Sequence, residues 1–400
     1  MTDEKMRSLV ADYNLTRVET ARDLVCHAPF VSMNFDQSGD VTVCCLNRKF
    51  VVGRYPEQTL EQIWRSPKTH ELREAIRELN WNKGCHKCRD ELVSRNFYAT
   101  LARNYDQVTV GGDEAARTGP RILEFETSNI CNLECIMCTG HFSSLIRKNR
   151  ERLPPIGNPY DAEFVNQLRP FWKTVEWAKF LGGEPFLNPM YFDIWRQIAA
   201  ENDASDGAAD GSLGNSRGSA VKVVITSNAT VWNRKVEWVL ENVKPFLVLS
   251  IDSFKKETYE KIRINSSFEK TQDHLARFID YAKRAATTVD LAVCPMVQNW
   301  QEIPEIFEWG TRNVVCINLN TLVRPEEFSL KFLGAAKIRE IVEEYKMVKL
   351  KHANDLWSCP LPWNVSVANS NRSRFESFIR QLEFWAAESG AIDHPKAQGN

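Results

Sequence analysis

Three cysteines, Cys131, Cys135 and Cys138, stand within one eight-residue run, Cys-Asn-Leu-Glu-Cys-Ile-Met-Cys. A [4Fe-4S] cube has four irons, and each needs one ligand beyond its sulfides, normally a thiolate. A loop with three thiolates leaves one iron open, and an open iron can bind and activate another molecule. Gaps of four and three also place side chains on one face of an α-helix, so buried core cysteines are the bland alternative. Zinc is a second alternative, although structural zinc sites favour two-residue gaps and a fourth Cys or His, for which His141 is the local candidate.

The chain holds eleven cysteines, which in an intracellular protein point to metal or catalysis rather than disulfides. Cys26, Cys44, Cys85 and Cys88 form a second group, closed by a Cys-His-Lys-Cys pair, and Cys45 adjoins Cys44. Cys294, Cys316 and Cys359 stand alone. Small buried residues explain Cys294 and Cys316 within apolar strands, yet any of these three is also a candidate thiol that returns a hydrogen atom to a substrate radical.

These groups need elements to place them. Strand-like runs occur at 121–126, 174–181, 221–226, 246–251, 289–296 and 314–320, rich in β-branched and aromatic residues. Helical stretches lie between them, including 267–285 and 302–311, and 336–345 follows the last. Six such repeats in one direction predict a parallel α/β sheet curved into a partial (β/α)6 TIM-like barrel over 118–350. Residues 201–220 are rich in Gly, Ser, Asp and Ala and read as a flexible insertion.

Residues 1–105 read as a small α+β domain. Ser38-Gly39-Asp40 turns the chain into a strand at 41–45, Thr59 and Gln62 make a capping box, and Ser66-Pro67 opens a helix with an inward stripe of Leu72, Ile76 and Leu79. A C-terminal extension, 351–400, carries an amphipathic stretch at 374–388 that is expected to dock on the barrel.

The Cys131–Cys138 run resembles the CxxxCxxC loop of the radical S-adenosylmethionine (SAM) superfamily, and further motifs follow in that family's order. Leu181-Gly182-Gly183-Glu184-Pro185 is similar to the segment whose backbone and carboxylate hold the SAM amino group. Ser227-Asn228 stands where family members contact SAM. Ser250, Asp252 and Arg263 resemble a signature in which the serine touches SAM and the arginine pairs with its carboxylate. Met137 replaces the aromatic residue that many members place near the adenine, where a thioether can pack instead. Each motif ends a predicted strand, the rim where parallel β/α barrels build active sites.

Residues 24–90 resemble the twitch domain, the shortened form of the SPASM domain, which binds an auxiliary [4Fe-4S] cluster; here it precedes the barrel instead of following it. The resemblance implies Cys26, Cys44, Cys85 and Cys88 as ligands, with Cys44 chosen over Cys45 and a zinc site as the alternative. The implied chemistry is reductive cleavage of SAM to a 5′-deoxyadenosyl radical, which takes hydrogen from a peptide or sugar-like substrate. A flavodoxin or ferredoxin supplies the electron. Net oxidation through the auxiliary cluster is the leading outcome, redox-neutral epimerisation or rearrangement the rival, and a non-catalytic electron carrier or sensor the reading from another class.

Composition agrees with an ordinary globular enzyme. Net charge is -1, from 51 basic and 52 acidic residues, with no electrostatic footprint of a nucleic-acid binder. The charged N-terminus lacks a signal-peptide core, and no apolar run approaches the roughly 20 residues of a membrane span. A cytoplasmic location without membrane partners is the expectation.

Overall fold

The computed structural model describes residues 3–108, 119–206, 220–351 and 365–392. Its centre is one nine-stranded sheet: β1 (Ser32–Asp36), β2 (Asp40–Thr42), β3 (Gly53–Arg54), β4 (Ile122–Glu126), β5 (Trp177–Phe180), β6 (Lys222–Ser227), β7 (Phe246–Ser250), β8 (Val289–Val293) and β9 (Cys316–Leu319). The order is β3-β2-β1-β4-β5-β6-β7-β8-β9, and β4 to β9 pair in parallel one after another. These are the six strands read from the sequence, each trimmed by a few residues. The sheet is not closed, so the partial barrel is as expected.

Alternation along the strands sorts the side chains. In β4, Leu123 and Phe125 turn outward, where Phe125 packs on Phe164 and Tyr191 beneath the helices. Glu124 and Glu126 therefore turn to the concave side, the lumen. The helices 268–285 and 303–313 match their expected positions, and the helix expected at 336–345 runs Ala335–Lys351. The expected insertion begins later than composition suggested, because the helix Pro189–Asp206 continues past Glu201. Residues 207–219 of that insertion, and Cys359, lie outside the described residues.

The N-terminal module is not a detached body. Its β1 runs parallel to β4, in register from Ser32 against Ile122 to Asp36 against Glu126, and extends the barrel sheet by one strand. The sequence reading missed β1 because Ser-Met-Asn-Phe-Asp carries no strong β signal. Burial on both faces makes it a strand, a tertiary override of weak propensity. The expected strand at 41–45 ends at Thr42, after which Asn47 N–H closes a turn on the Cys44 carbonyl at 3.2 Å. The local capping signals hold: Thr59 and Gln62 cap reciprocally, and the Ser66 hydroxyl caps the helix Pro67–Arg77.

The C-terminal helix Val365–Ile392 docks as its amphipathic stretch predicts, burying Phe375, Phe378, Leu382 and Trp385. Its Gln381 Nε2 donates to Glu91 Oε2 at 2.6 Å, and its Oε1 accepts from Asn96 at 3.1 Å. The helix thus ties the open β9 side to the N-terminal module. No helix among the described residues is long and apolar enough to cross a membrane.

Candidate active site

Beyond Glu126 the chain leaves β4 and crosses the C-terminal rim of the sheet. Residues 131–138 contain no helix, which removes the reading of core cysteines on a helical face. Glu134 N–H donates to the Ile264 carbonyl at 3.0 Å and Ile136 N–H to the Ile262 carbonyl at 2.9 Å, so the loop is strapped to the segment carrying Arg263. From the other side, Asn129 Nδ2 holds the Gly140 carbonyl at 2.9 Å and the Ser143 hydroxyl holds the Leu133 carbonyl at 2.7 Å.

The strap brings the three thiols together. Burial pushes the Cys138 thiol up to about 12, with Cys135 and Cys131 adding to the rise. Burial likewise pushes Cys131 up to about 11 and raises Cys135, on which the Arg263 cation acts in the opposite sense. Arg263 Nη1 lies 3.9 Å from the Cys135 sulfur, and Asn228 Nδ2 lies 3.8 Å from the Cys131 sulfur. Such thiols stay protonated until a metal displaces the protons.

The two glycines are needed by this geometry. Gly182 and Gly183 have φ of +76° and +55°, and a Cβ on Gly183 would sit 2.2 Å from the Ile130 carbonyl oxygen. That same carbonyl accepts from Glu184 N–H at 2.8 Å, so the end of β5 and the cysteine loop are in backbone contact. The Glu184 carboxylate is fully buried, accepting from Ser227 Oγ at 2.9 Å, Asn228 N at 2.7 Å and Phe186 N at 3.2 Å. It ties the ends of β5 and β6 to each other. Asp252, also fully buried, accepts from Cys294 N at 2.7 Å and pairs with Arg263 Nη2 at 2.8 Å. Arg263 thus lies between Asp252 and Cys135. Met137 packs on a small apolar cluster that includes Ile262, Cys294 and Met296. Ser250 ends β7 on the lumen side, half-buried. Cys316 opens β9 at its N-terminal end, where Asp290 and Arg374 act on it.

Below the rim lies a charged lumen that motif reading missed. Arg48 forms an ion pair with Glu126, and Glu124 Oε1 accepts from Tyr105 at 2.9 Å and Lys179 at 3.2 Å. The signal was available: Glu124 and Glu126 alternate in Arg-Ile-Leu-Glu-Phe-Glu, which puts two carboxylates on one face of a barrel strand.

The second set of thiols shares one cavity. Cys26, Cys44, Cys85 and Cys88 line it together with Trp81 and Tyr105, whereas Cys45 does not. Burial pushes Cys85 up to about 12 and Cys88 up to about 11, and Cys88, Cys44 and Cys85 all act on Cys26. Asn47 Nδ2 lies 3.6 Å from the Cys85 sulfur. Among the described residues no three His, Cys, Asp or Glu side chains close around one point as a lone zinc ion requires. A cube spreads its thiolates over separate irons, and a set of four sulfurs on an apolar-walled cavity suits that wider spacing.

Burial pushes both Glu126 and Glu184 up to about 7, above the ordinary carboxylate value. A carboxyl with a raised folded-state value favours the folded state fully below its unfolded value and loses that contribution as pH rises through about 7. The metal-free chain is therefore expected to be less stable at pH 8 than at pH 5.5, by up to about 3 kcal/mol per carboxyl. Denaturant midpoints at the two pH values measure this. Glu184→Gln should flatten the difference, and an unchanged slope would refute the assignment.

A parallel β/α barrel with a three-cysteine loop on its C-terminal rim, over a Gly-Gly turn, defines a radical SAM domain. The comparison with known families agrees: residues 125–310 match the radical SAM superfamily, and residues 26–89 match the SPASM iron–sulfur cluster-binding domain. The chain is a radical SAM enzyme with an N-terminal SPASM-type domain, and its cofactors are SAM and [4Fe-4S] clusters. No curated protein matches it. Among solved structures it is similar to native anSMEcpe with bound AdoMet, at 14% identity over 58% of this chain and 61% of that chain, TM-score 0.42. It is also similar to Streptococcus suis SuiB bound to S-adenosylmethionine, at 15% identity over 71% of this chain and 58% of that chain, TM-score 0.40. SuiB bound to precursor peptide SuiA gives 15% identity, 72% and 60% coverage, and TM-score 0.38. The chain thus spans about three fifths of the length of these structures.

Proposed function

We propose that Cys131, Cys135 and Cys138 hold the catalytic cluster and that Cys26, Cys44, Cys85 and Cys88 hold an auxiliary one. The observation carrying this is the convergence of three thiols on the sheet rim, against Arg263 and Asn228 and over Gly182 and Gly183. When bound, SAM on the open iron supplies a 5′-deoxyadenosyl radical that removes hydrogen from an unactivated C–H bond.

The chain's own residues position and enclose. Gly182 and Gly183 leave backbone within reach of the SAM amino group. The Glu184 carboxylate holds Ser227 and Asn228 in place beside it. Arg263, oriented by Asp252, offers its fork of donors to the SAM carboxylate and a positive charge to the cluster loop. Ser250 reaches SAM from the end of β7, and Met137 covers the adenine.

The lumen below, with Arg48, Glu124, Glu126 and Lys179, takes the substrate, a peptide or a sugar-like molecule with polar groups for those charges to meet. A flavodoxin or ferredoxin delivers the electron. Net oxidation is the outcome that the four-thiol cavity favours, because a second cluster can take the electron from a substrate radical. Redox-neutral return of hydrogen is the outcome that the placement of Cys45 favours.

Anaerobic reconstitution with iron and sulfide, followed by dithionite and SAM, tests the reading. 5′-Deoxyadenosine and methionine in equal amounts are the expected products. Their absence from a fully iron-loaded protein would leave only the carrier or sensor reading.

A further inference from the structure

Cys44 and Cys45 are adjacent in the chain yet serve different spaces. Cys44 lines the cavity of the four thiols and Cys45 does not. The charged groups acting on the Cys45 thiol are Glu124, Glu126, the Cys44 thiol and Arg48. Glu124 and Glu126 are lumen side chains of β4, and Arg48, three residues beyond Cys45, pairs with Glu126. The strand register agrees: Asn34 of β1 pairs with Thr42 on one side and Glu124 on the other, so the chain leaving β2 for Cys45 starts level with Glu124.

A second observation places a ligand there. The Glu124 side chain is 3% exposed, and its Oε2 is buried without a hydrogen-bond partner among the described residues. Its other oxygen already takes Tyr105 and Lys179. An unmet carboxylate oxygen that deep in a lumen points to a polar group of an incoming molecule. The other candidate thiols are placed less well. Cys294 is enclosed by Ile136, Met137, Ile262 and Met296, and Cys316 lies at the N-terminal end of β9, away from the rim.

We propose that Cys45 is the hydrogen-atom donor to a carbon radical formed in the barrel lumen, which makes the overall reaction redox-neutral for the substrate. The proposal rests on the SAM-cleavage reading and decides its outcome. In the step, the S–H bond of Cys45 breaks homolytically and a C–H bond forms on the substrate carbon, leaving a thiyl radical. One electron from a low-potential electron-transfer protein and one proton from solvent restore the thiol. Glu124 and Lys179 hold polar groups of the substrate so that the radical carbon faces Cys45.

The 5′-deoxyadenosyl radical can stand in for the unidentified substrate. Wild-type enzyme, SAM and dithionite are incubated anaerobically in D2O, where the thiol becomes S–D. Deuterium passes to the 5′ carbon, and dithionite with a solvent deuteron regenerates the thiol. We expect singly deuterated 5′-deoxyadenosine from the wild type, and a fall in its deuterated fraction of about tenfold in Cys45→Ala and Cys45→Ser. Iron content provides a separate readout: Cys45→Ala should keep the wild-type amount, while Cys44→Ala should lose about half. Iron loss in Cys45→Ala would make Cys45 a ligand and overturn the proposal. An unchanged deuterated fraction in both Cys45 variants, or its loss in Cys294→Ala instead, would overturn it too. If the wild type forms no 5′-deoxyadenosine, the SAM-cleavage reading falls and takes this proposal with it. If it forms the nucleoside with deuterium independent of Cys45, only the proposal falls.

Discussion

Anaerobically reconstituted Cys131→Ala, Cys135→Ala and Cys138→Ala should each lose about half of the bound iron. Each should also lose 5′-deoxyadenosine formation by about a thousandfold or more. The size of the effect follows from the donor set. Three thiolates are the minimum that can hold the cube while leaving one iron open, and nothing in the loop is placed to replace one. Asn228 and Arg263 reach the sulfurs as hydrogen-bond donors, and neither offers a lone pair to iron. Cys135 should be the most severe. It is buried beside Arg263, so its removal also leaves a guanidinium without one of its partners. Cys44→Ala is the necessary contrast: it should lose a similar share of iron and still cleave SAM. Iron analysis and chromatography of the nucleoside decide the matter. Full iron and full turnover in any of the three loop variants would end the assignment.

The second large effect is expected from a single methyl group. Gly183→Ala puts a Cβ 2.2 Å from the Ile130 carbonyl oxygen and 2.8 Å from its carbon, on a residue whose φ is +55°. The left-handed backbone alone costs an alanine about 1–2 kcal/mol. The clash is with backbone, which cannot swing away as a side chain would. Ile130 must move, and with it the bond from Glu184 N–H and the position of Cys131 next along the chain. Together these should lower stability by about 2–4 kcal/mol and SAM cleavage by about a hundredfold or more. Gly157→Ala is the control, because nothing lies within 4 Å of the Cβ it would add. A Gly183→Ala enzyme with wild-type stability and SAM affinity would show that β5 and the cysteine loop do not need this close approach.

The buried pair of Asp252 and Arg263 shows where sequence and structure part. Its two residues are eleven apart, and spacing alone gives no reason for them to meet. The family resemblance offered Arg263 to a ligand carboxylate. The fold adds Asp252 at 2.8 Å, with Cys294 N–H steadying the same carboxylate. Glu184 is similar: the motif points to a ligand, and the fold spends both its oxygens on Ser227, Asn228 and Phe186.

By itself the sequence determined whatever is decided within a few residues. The cysteine spacing specifies a three-thiolate loop, the β-rich runs specify six strands, and Thr59, Gln62, Ser66 and Pro67 specify two helix starts, because ligand bite, strand alternation and capping are local interactions. Only the tertiary structure decided that β1 joins the barrel sheet beside β4, that the four distant thiols share one cavity, and that Cys44 and Cys45 face different spaces. Those outcomes depend on pairing between segments some 90 residues apart, whose energy comes from mutual burial once both surfaces exist. No spacing rule along the chain contains that information.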